Sequence, residues 1–250
     1  MFYFKIRLAD KNIEVECFNR HVVKIFRDYF AAFDNPDLVV KISWEEVKSE
    51  AKKVYGTNYV EQDPSDKIAC EYVDSESLLI QKKIVNELIR YSIILMHGAA
   101  IATDNKCYIF TAPSGTGKTT HIQNWLECIQ NTIVVNGDKP LIDVSKKLVY
   151  GTPWCGKEGM NTNTAVPLAG IIELKRGKNN TIRAVPFRNM LPVLLRQIHI
   201  PNFGSSDFSV YHLINCLKDV PCYQLTCNMD RESAIVAYNG LVVPQCSEVQ

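Results

Sequence analysis

Apolar and polar residues alternate along Phe2–Leu8 and again along residues 13–18. Asp10-Lys11-Asn12 supplies turn chemistry between them, so the chain is expected to open with a β-hairpin. The period then lengthens. A helix is expected from about Asn19 to Phe33, followed by a short strand over Leu38–Ile42. Ser43, with Glu46 three residues on, reads as a capping box opening a helix that runs to about Val54. Gly56, Asn58, Asp63 and Pro64 mark Tyr55–Ser65 as a loop or junction, and a helix from about Ser75 to Tyr91 follows.

From Ile93 the pattern turns to strands. Ile93–Thr103 and Lys106–Ala112 flank Asp104-Asn105, a two-residue hairpin turn. A helix over about Gly117–Ile129 leads to strand Thr132–Asn136, then to short strands at Leu141–Val144, Lys147–Tyr150 and Ala169–Leu174. Gly177–Asn180 reads as a further hairpin turn into Thr181–Pro186. Helices over Met190–His199 and Phe208–Leu217, strand Cys222–Thr226 and helix Arg231–Tyr238 complete the chain. The expected architecture is α/β (α+β overall), with a small α+β domain over residues 1–90 and a nucleotide-binding domain over 91–250.

Composition removes several alternatives. With 46% hydrophobic and 22% charged residues, the chain has the make-up of an ordinary globular protein. Lys and Arg total 28 against 27 Asp and Glu, so no general attraction to nucleic acid or membrane is expected and any anion site must be local. Lys5 and Arg7 interrupt the apolar N-terminus, and the longest apolar run, Ile93–Ala102, contains His97 and Gly98 and is too short to span a bilayer. A cytoplasmic protein is expected. The nine cysteines, an odd number, argue against a closed disulfide framework. Cys216, Cys222 and Cys227 are spaced for no common zinc site and are expected to be reduced core thiols.

The sharpest motif is Ala112-Pro113-Ser114-Gly115-Thr116-Gly117-Lys118-Thr119-Thr120, set between an expected strand and an expected helix. Gly115 and Gly117 allow the backbone to turn its N–H groups inward around phosphate oxygens, and the helix behind them points its positive end at the same anion. In a P-loop of this kind Lys118 reaches the β- and γ-phosphates, and the Thr119 hydroxyl ligates Mg²⁺. Ala112 stands where the usual pattern begins with glycine. The next strand ends at Asn136-Gly137-Asp138-Lys139-Pro140, which makes Asp138 a candidate metal ligand or acceptor of a hydroxyl proton, or else a solvated turn aspartate. His97 begins the hairpin leading into the loop, where it orients that acid, contacts the acceptor phosphate or fills the core.

The order His97-Gly98, hairpin, Ser114–Thr119, Gly137-Asp138-Lys139-Pro140 and Pro167-Leu168-Ala169-Gly170-Ile171-Ile172-Glu173-Leu174 resembles the catalytic domain of HPr kinase/phosphorylase. It is also similar to the HPr-kinase-related serine kinases of bacterial peptide-modification clusters, a superfamily that shares its core with phosphoenolpyruvate carboxykinase. The resemblance covers about His97 to Leu174, extends more loosely to about Tyr238, and does not reach the first 90 residues. It implies a P-loop core on a mixed sheet and Mg²⁺-dependent transfer from ATP to a hydroxyl. His97, Ser114 to Thr119 and Asp138 then match the family's histidine, loop and acid. The family has two adjacent acids where this chain has Gly137-Asp138, so Asp138 combines two roles or Glu158 supplies the second. No phosphorylase signature is present, and the reverse reaction is not expected.

Gly151–Asn161 is the other dense polar stretch. Lys157 is a candidate clamp for an anionic acceptor or the γ-phosphate, or else part of a plain hairpin connection. Arg196 and His199 are candidate lining residues of the acceptor pocket. The leading expectation is a kinase for an alcoholic hydroxyl, with a peptide serine and a small hydroxylated metabolite both open as acceptors. The competing class is a non-catalytic ATP-binding regulatory module. Carboxykinase chemistry is disfavoured because its additional metal ligands and anion-binding arginines are not evident. Oligomeric state and base preference leave no mark in the sequence.

Overall fold

The computed structural model describes residues 1–56, 70–199 and 207–242, and most of the loop expected over Tyr55–Ser65 lies outside them. Helices and mixed sheets make the protein an α+β structure. The chain separates into two compact units, Met1–Tyr91 and Ser92–Gln250.

In the first unit, β1 (Phe2–Leu8) and β2 (Lys11–Cys17) form the opening hairpin, and β3 (Leu38–Lys41) adds parallel to β2. The hairpin turn falls on Ala9-Asp10, both at positive φ (50° and 59°), rather than on Asp10–Asn12. Two left-handed residues give the primed turn whose twist suits a tight hairpin. The helix expected from Asn19 to Phe33 is shorter: α1 covers Arg20–Ile25, a 3₁₀ turn covers Arg27–Tyr29, and Phe30 bridges back to Ile6. α2 (Trp44–Tyr55) starts at the expected capping box, with Ser43 accepting from Glu46 N–H and Glu46 accepting from Ser43 N–H. α3 (Cys70–Leu88) buries Ile80, Ile84 and Leu88 and packs against α1, α2 and β3, in a unit where Ile6, Ile13, Val22 and Val47 are also buried. Buried Glu76 on α3 accepts from the N–H groups of Phe18 and Asn19, where the chain enters α1.

The second unit is built on a nine-stranded sheet among the described residues. Its strands are β4 (Ile93–Leu95), β5 (Ala99–Thr103), β6 (Lys106–Thr111), β7 (Ile133–Asn136), β8 (Leu141–Asp143), β9 (Leu148–Tyr150), β10 (Ala165–Arg176), β11 (Thr181–Ala184) and β12 (Cys222–Cys227). Off the path β4-β8-β9-β10-β6-β5-β7, β12 pairs with the carboxyl half of β10 on the flank opposite β6, beyond the stretch that pairs with β9, and β11 pairs with β12. Two expectations are corrected. Ile93–Thr103 is two strands broken at Met96–Gly98, because β4 pairs with β8 while β5 pairs with β6 and β7. Gly177–Asn180 does not close a hairpin of adjacent strands: β12 inserts parallel to β10 and antiparallel to β11. A turn-rich segment signals a reversal, but only long-range pairing decides which strands become neighbours.

Helices α4 (Lys118–Cys128) and α7 (Glu232–Leu241) cover one face of this sheet, with Trp125, Ile122, Ala234 and Ala237 packed on Phe110, Ile101, Ile172 and Leu225. α5 (Phe187–Gln197) and α6 (Asp207–Asn215) complete the unit. Cys17, Cys107, Cys222 and Cys227 are buried free thiols. Burial pushes Cys17 up to about 12 and Cys222 up to about 11. Cys216 is only half-buried, just beyond the end of α6, so it is not a core thiol. No helix among the described residues is long and apolar enough to cross a membrane.

Candidate functional site

β6 and β7 both run antiparallel to β5, which lies between them, so their carboxyl ends and the start of β5 share one edge of the sheet. β6 delivers the loop Ala112–Gly117 there, β7 delivers Gly137-Asp138, and β5 is entered from His97-Gly98. The His97-Gly98 segment ties the two ends together. Thr111 Oγ1 donates to His97 O at 2.9 Å, and Gly98 N–H donates to Asp138 O at 2.8 Å. A Cβ on Gly98 would stand 2.9 Å from Ile109 Cγ2 and 3.2 Å from Phe110 O, so the close approach that sets His97 in position requires glycine.

His97 Nε2 donates to Asp138 Oδ1 at 3.1 Å. That bond, with the charges of Lys139 and Lys118, holds the Asp138 carboxyl below its ordinary value against the opposing effect of half-burial. Lys118 shares the neighbourhood. Burial lowers its ammonium from the usual lysine value, the charge of Asp138 pulls the other way, and Nζ donates to Ala112 O at 2.9 Å.

In the loop, Gly115 and Gly117 adopt φ of 76° and 112°, the left-handed region that favours glycine. Ala112 has no such angle, so a methyl group is accommodated where the usual motif has its first glycine. Thr116 folds the loop back on itself, with its N–H and Oγ1 donating to Pro113 O at 3.3 and 2.8 Å. Gly117 caps α4 without any side-chain acceptor, in contrast to Ser43 on α2. The first-turn N–H groups of Lys118, Thr119 and Thr120 therefore end the helix as donors suited to an anion. Ser114 is exposed beside them.

Asn136, fully buried at the end of β7, organises the acidic side. Its Oδ1 accepts from the N–H groups of Asp138 and Lys139 at 2.8 and 2.6 Å, while Nδ2 donates to Thr152 O and Oγ1 at 3.0 and 2.9 Å. Thr152 Oγ1 donates onward to Lys139 O at 2.8 Å. This network joins β7 to the neck of the Gly151–Asn161 loop, and Gly137 N–H donates to Met160 O at 2.9 Å across it. At the tip, a Cβ on Gly156 would lie 3.3 Å from Asp138 Cβ and 3.5 Å from Glu158 Oε2, so Gly156 has both acids for neighbours. Lys157 and Glu158 are exposed. Arg196 is exposed in the last turn of α5, whose Gln197 O accepts from His97 N–H at 2.8 Å. His199 N–H donates to Leu95 O at 2.9 Å.

Sequence reasoning missed three contributors. Asn136 left a legible clue, since Asn-Gly-Asp after a strand is an Asx-turn pattern, whereas Thr152 joins it only through contacts distant in sequence. Arg176, at the end of β10, left none: it donates from its guanidinium to Gly115 O and, at 3.3 Å, to Thr116 O. A cavity of about 700 Å³ in the first unit is lined by Phe4, Val15 and Val39 as well as by the Lys5–Glu14 and Lys41–Glu16 pairs, at 3.2 and 3.9 Å. Comparison with protein-family models finds none that matches the chain, and comparison with curated proteins finds no match either. The chemistry is therefore read from the geometry: a glycine loop at a helix start, a half-buried lysine, and an ionised carboxylate held by a histidine.

Proposed function

We propose that this protein is an ATP- and Mg²⁺-dependent kinase that transfers the γ-phosphoryl group to an alcoholic hydroxyl of a peptide or small molecule. The observation that carries the reading is the His97–Asp138 pair beside Lys118, with Asp138 held ionised at the same sheet edge as the glycine loop. On this reading the second unit is a P-loop core of the HPr kinase and phosphoenolpyruvate carboxykinase kind. The free thiols suit a cytoplasmic setting.

The loop N–H groups and Lys118 would hold the β- and γ-phosphates, with Lys118 leaving Ala112 O to do so. Thr119 and Asp138 are hard oxygen donors, which fit Mg²⁺, an ion commonly bound by one or two protein oxygens together with phosphate and water. When bound, Mg²⁺ would neutralise charge on the phosphate oxygens. Asp138 would take the proton of the acceptor hydroxyl while His97 holds Oδ1, and Glu158 would lie next to the same acceptor space. Lys157 and Arg196 are the proposed contacts to an anionic acceptor.

The test is incubation with γ-labelled ATP and Mg²⁺ against peptide and metabolite libraries, comparing wild type with Asp138→Asn. Label should move to one acceptor class, and the variant should bind ATP while losing roughly 10²–10⁴-fold in transfer. ATP binding by wild type with no labelled product from any acceptor would leave a nucleotide-binding module instead.

A further inference from the structure

A bound triphosphate is a linear ligand, and the reading above fixes only one of its ends. If the γ-phosphoryl group meets Asp138 at the end of β7, the nucleoside has to leave the loop on the side away from β7. That side is built by β10 and β12. Both run parallel to β6, so all three strands end at the same edge of the sheet. Ligands in such sheets lie in the crevice outside the carboxyl ends of the strands.

The residues there form a braced ledge against the loop. Arg176 holds Gly115 O and Thr116 O. Past the end of β12, Met229 lies over the start of α4, with its Sδ 3.1 Å from the point a Cβ on Gly117 would occupy. Asn124 on α4 donates to Met229 O at 3.3 Å and to Asp230 O at 3.1 Å, fixing the turn to the helix. Asn228 joins this turn to the one after β10, its N–H donating to Asn180 Oδ1 at 3.0 Å and its Nδ2 to Lys178 O and Asp230 Oδ2 at 3.4 and 2.9 Å. Within this well-braced backbone Met229 is 50% exposed. The hydrogen-bonding groups of the two turns face one another, while a polarisable thioether is presented beside the loop.

We propose that Met229 is the seat of the nucleobase, taking an aromatic base by its face. The proposal rests on the kinase reading of the same loop. Sulfur–aromatic contact and burial of the exposed half of the side chain are the attractive terms. Face contact with no reading of base edges accounts for the lack of a base-specific motif in the sequence.

The experiment measures equilibrium binding of ATP and of inorganic tripolyphosphate, each with Mg²⁺, to wild type, Met229→Ala, Met229→Leu and Lys118→Ala. Met229→Ala should weaken ATP roughly fivefold and leave tripolyphosphate unchanged. Met229→Leu should recover part of the ATP loss, and Lys118→Ala should weaken both ligands. Equal weakening of both ligands by Met229→Ala, or no change in either, would overturn the base seat while leaving the phosphate site standing. If wild type bound tripolyphosphate as tightly as ATP, the nucleoside would have no seat and the proposal would fail. If wild type bound neither ligand, the kinase reading would fail first and this proposal with it.

Discussion

Acidification should loosen α4, the helix that begins at the glycine loop, through a single residue. His121 lies one turn into α4 at 3% exposure, with its ring 4.7 Å from that of Phe110. Trp125 Nε1 donates to His121 Nε2 at 2.9 Å, which requires that nitrogen to be unprotonated. Nδ1 then carries the hydrogen and faces Ser233 Oγ at 3.4 Å. Burial pushes the imidazole down to about 4 from an ordinary 6.5. A group depressed in this way stabilises the fold fully above its unfolded value and loses that contribution as the pH falls through the window from 6.5 to about 4. At about 1.4 kcal/mol per pH unit, the whole window is worth roughly 3 kcal/mol, a large part of a typical domain's stability.

The assay is urea unfolding of the second unit at about pH 7.5 and about pH 4.5, read by hydrogen exchange of β6 and α4 peptides in wild type and His121→Gln. Glutamine keeps an acceptor for Trp125 but does not titrate. Wild type should lose roughly 2.5 kcal/mol more than the variant between the two conditions. Equal losses would refute the claim that the fold holds this histidine neutral. Asp138 does not confuse the result, because its carboxyl is depressed and titrates below the window.

The first unit should respond in the opposite sense. Burial raises Glu76 to about 7, so its contribution is complete below about 4.5 and is lost as the pH rises through 7, a fall of roughly 3 kcal/mol that Glu76→Gln should flatten. A free energy of exchange for β1 and β2 peptides that, after correction for the intrinsic rate, does not change with pH in wild type would contradict this. His97→Ala removes the main influence depressing Asp138, so the acid limb of kcat/KM should move to higher pH. An unmoved limb would separate the histidine from the base. Gly156→Ala adds a methyl group 3.3 Å from Asp138 Cβ at a φ of 81°. It should cost about 1–2 kcal/mol in thermal or chemical unfolding and reduce turnover more than ATP affinity; unchanged turnover would detach the loop tip from the reaction.

Legibility in the sequence followed the range of the interactions. The Ser43–Glu46 capping box and the Asp104-Asn105 turn, at φ of 49° and 57°, are local chemistry and were readable residue by residue. So was the succession of β6, glycine loop and α4, because strand pattern, glycines and amphipathic period fall in one continuous stretch. Ala9 hid the first turn, since alanine is not a residue that advertises left-handed backbone while Asp10–Asn12 does. The insertion of β12 between β10 and β11 is a pairing across some 40 residues of chain, and Gly177–Asn180 carries the same turn signal whichever strand comes to lie between. At the site, the His97–Asp138 contact was open to guesswork from motif order alone. Arg176 was not, because its partners are backbone carbonyls and leave no trace in residue identity.

The neck of the Gly151–Asn161 loop has a consequence for how such a protein diversifies. A Cβ on Gly151 would collide with Thr162 O at 1.9 Å, and Gly151 N–H, Thr162 N–H and Asn161 Nδ2 are bonded to Thr164 O, Val135 O and Thr152 O. Two chain segments are thus clasped at the base while residues 156–159 hang outside the clasp, exposed. Changes at Lys157 and Glu158, beyond Gly156, leave the bonds of the clasp in place, and doubling the length of such a loop costs only about 0.6 kcal/mol in closure entropy. If the proposed kinase activity holds, residues 157 and 158 are the positions at which acceptor preference could change while the clasp beneath them stays fixed, and so the natural place to retarget the protein by design.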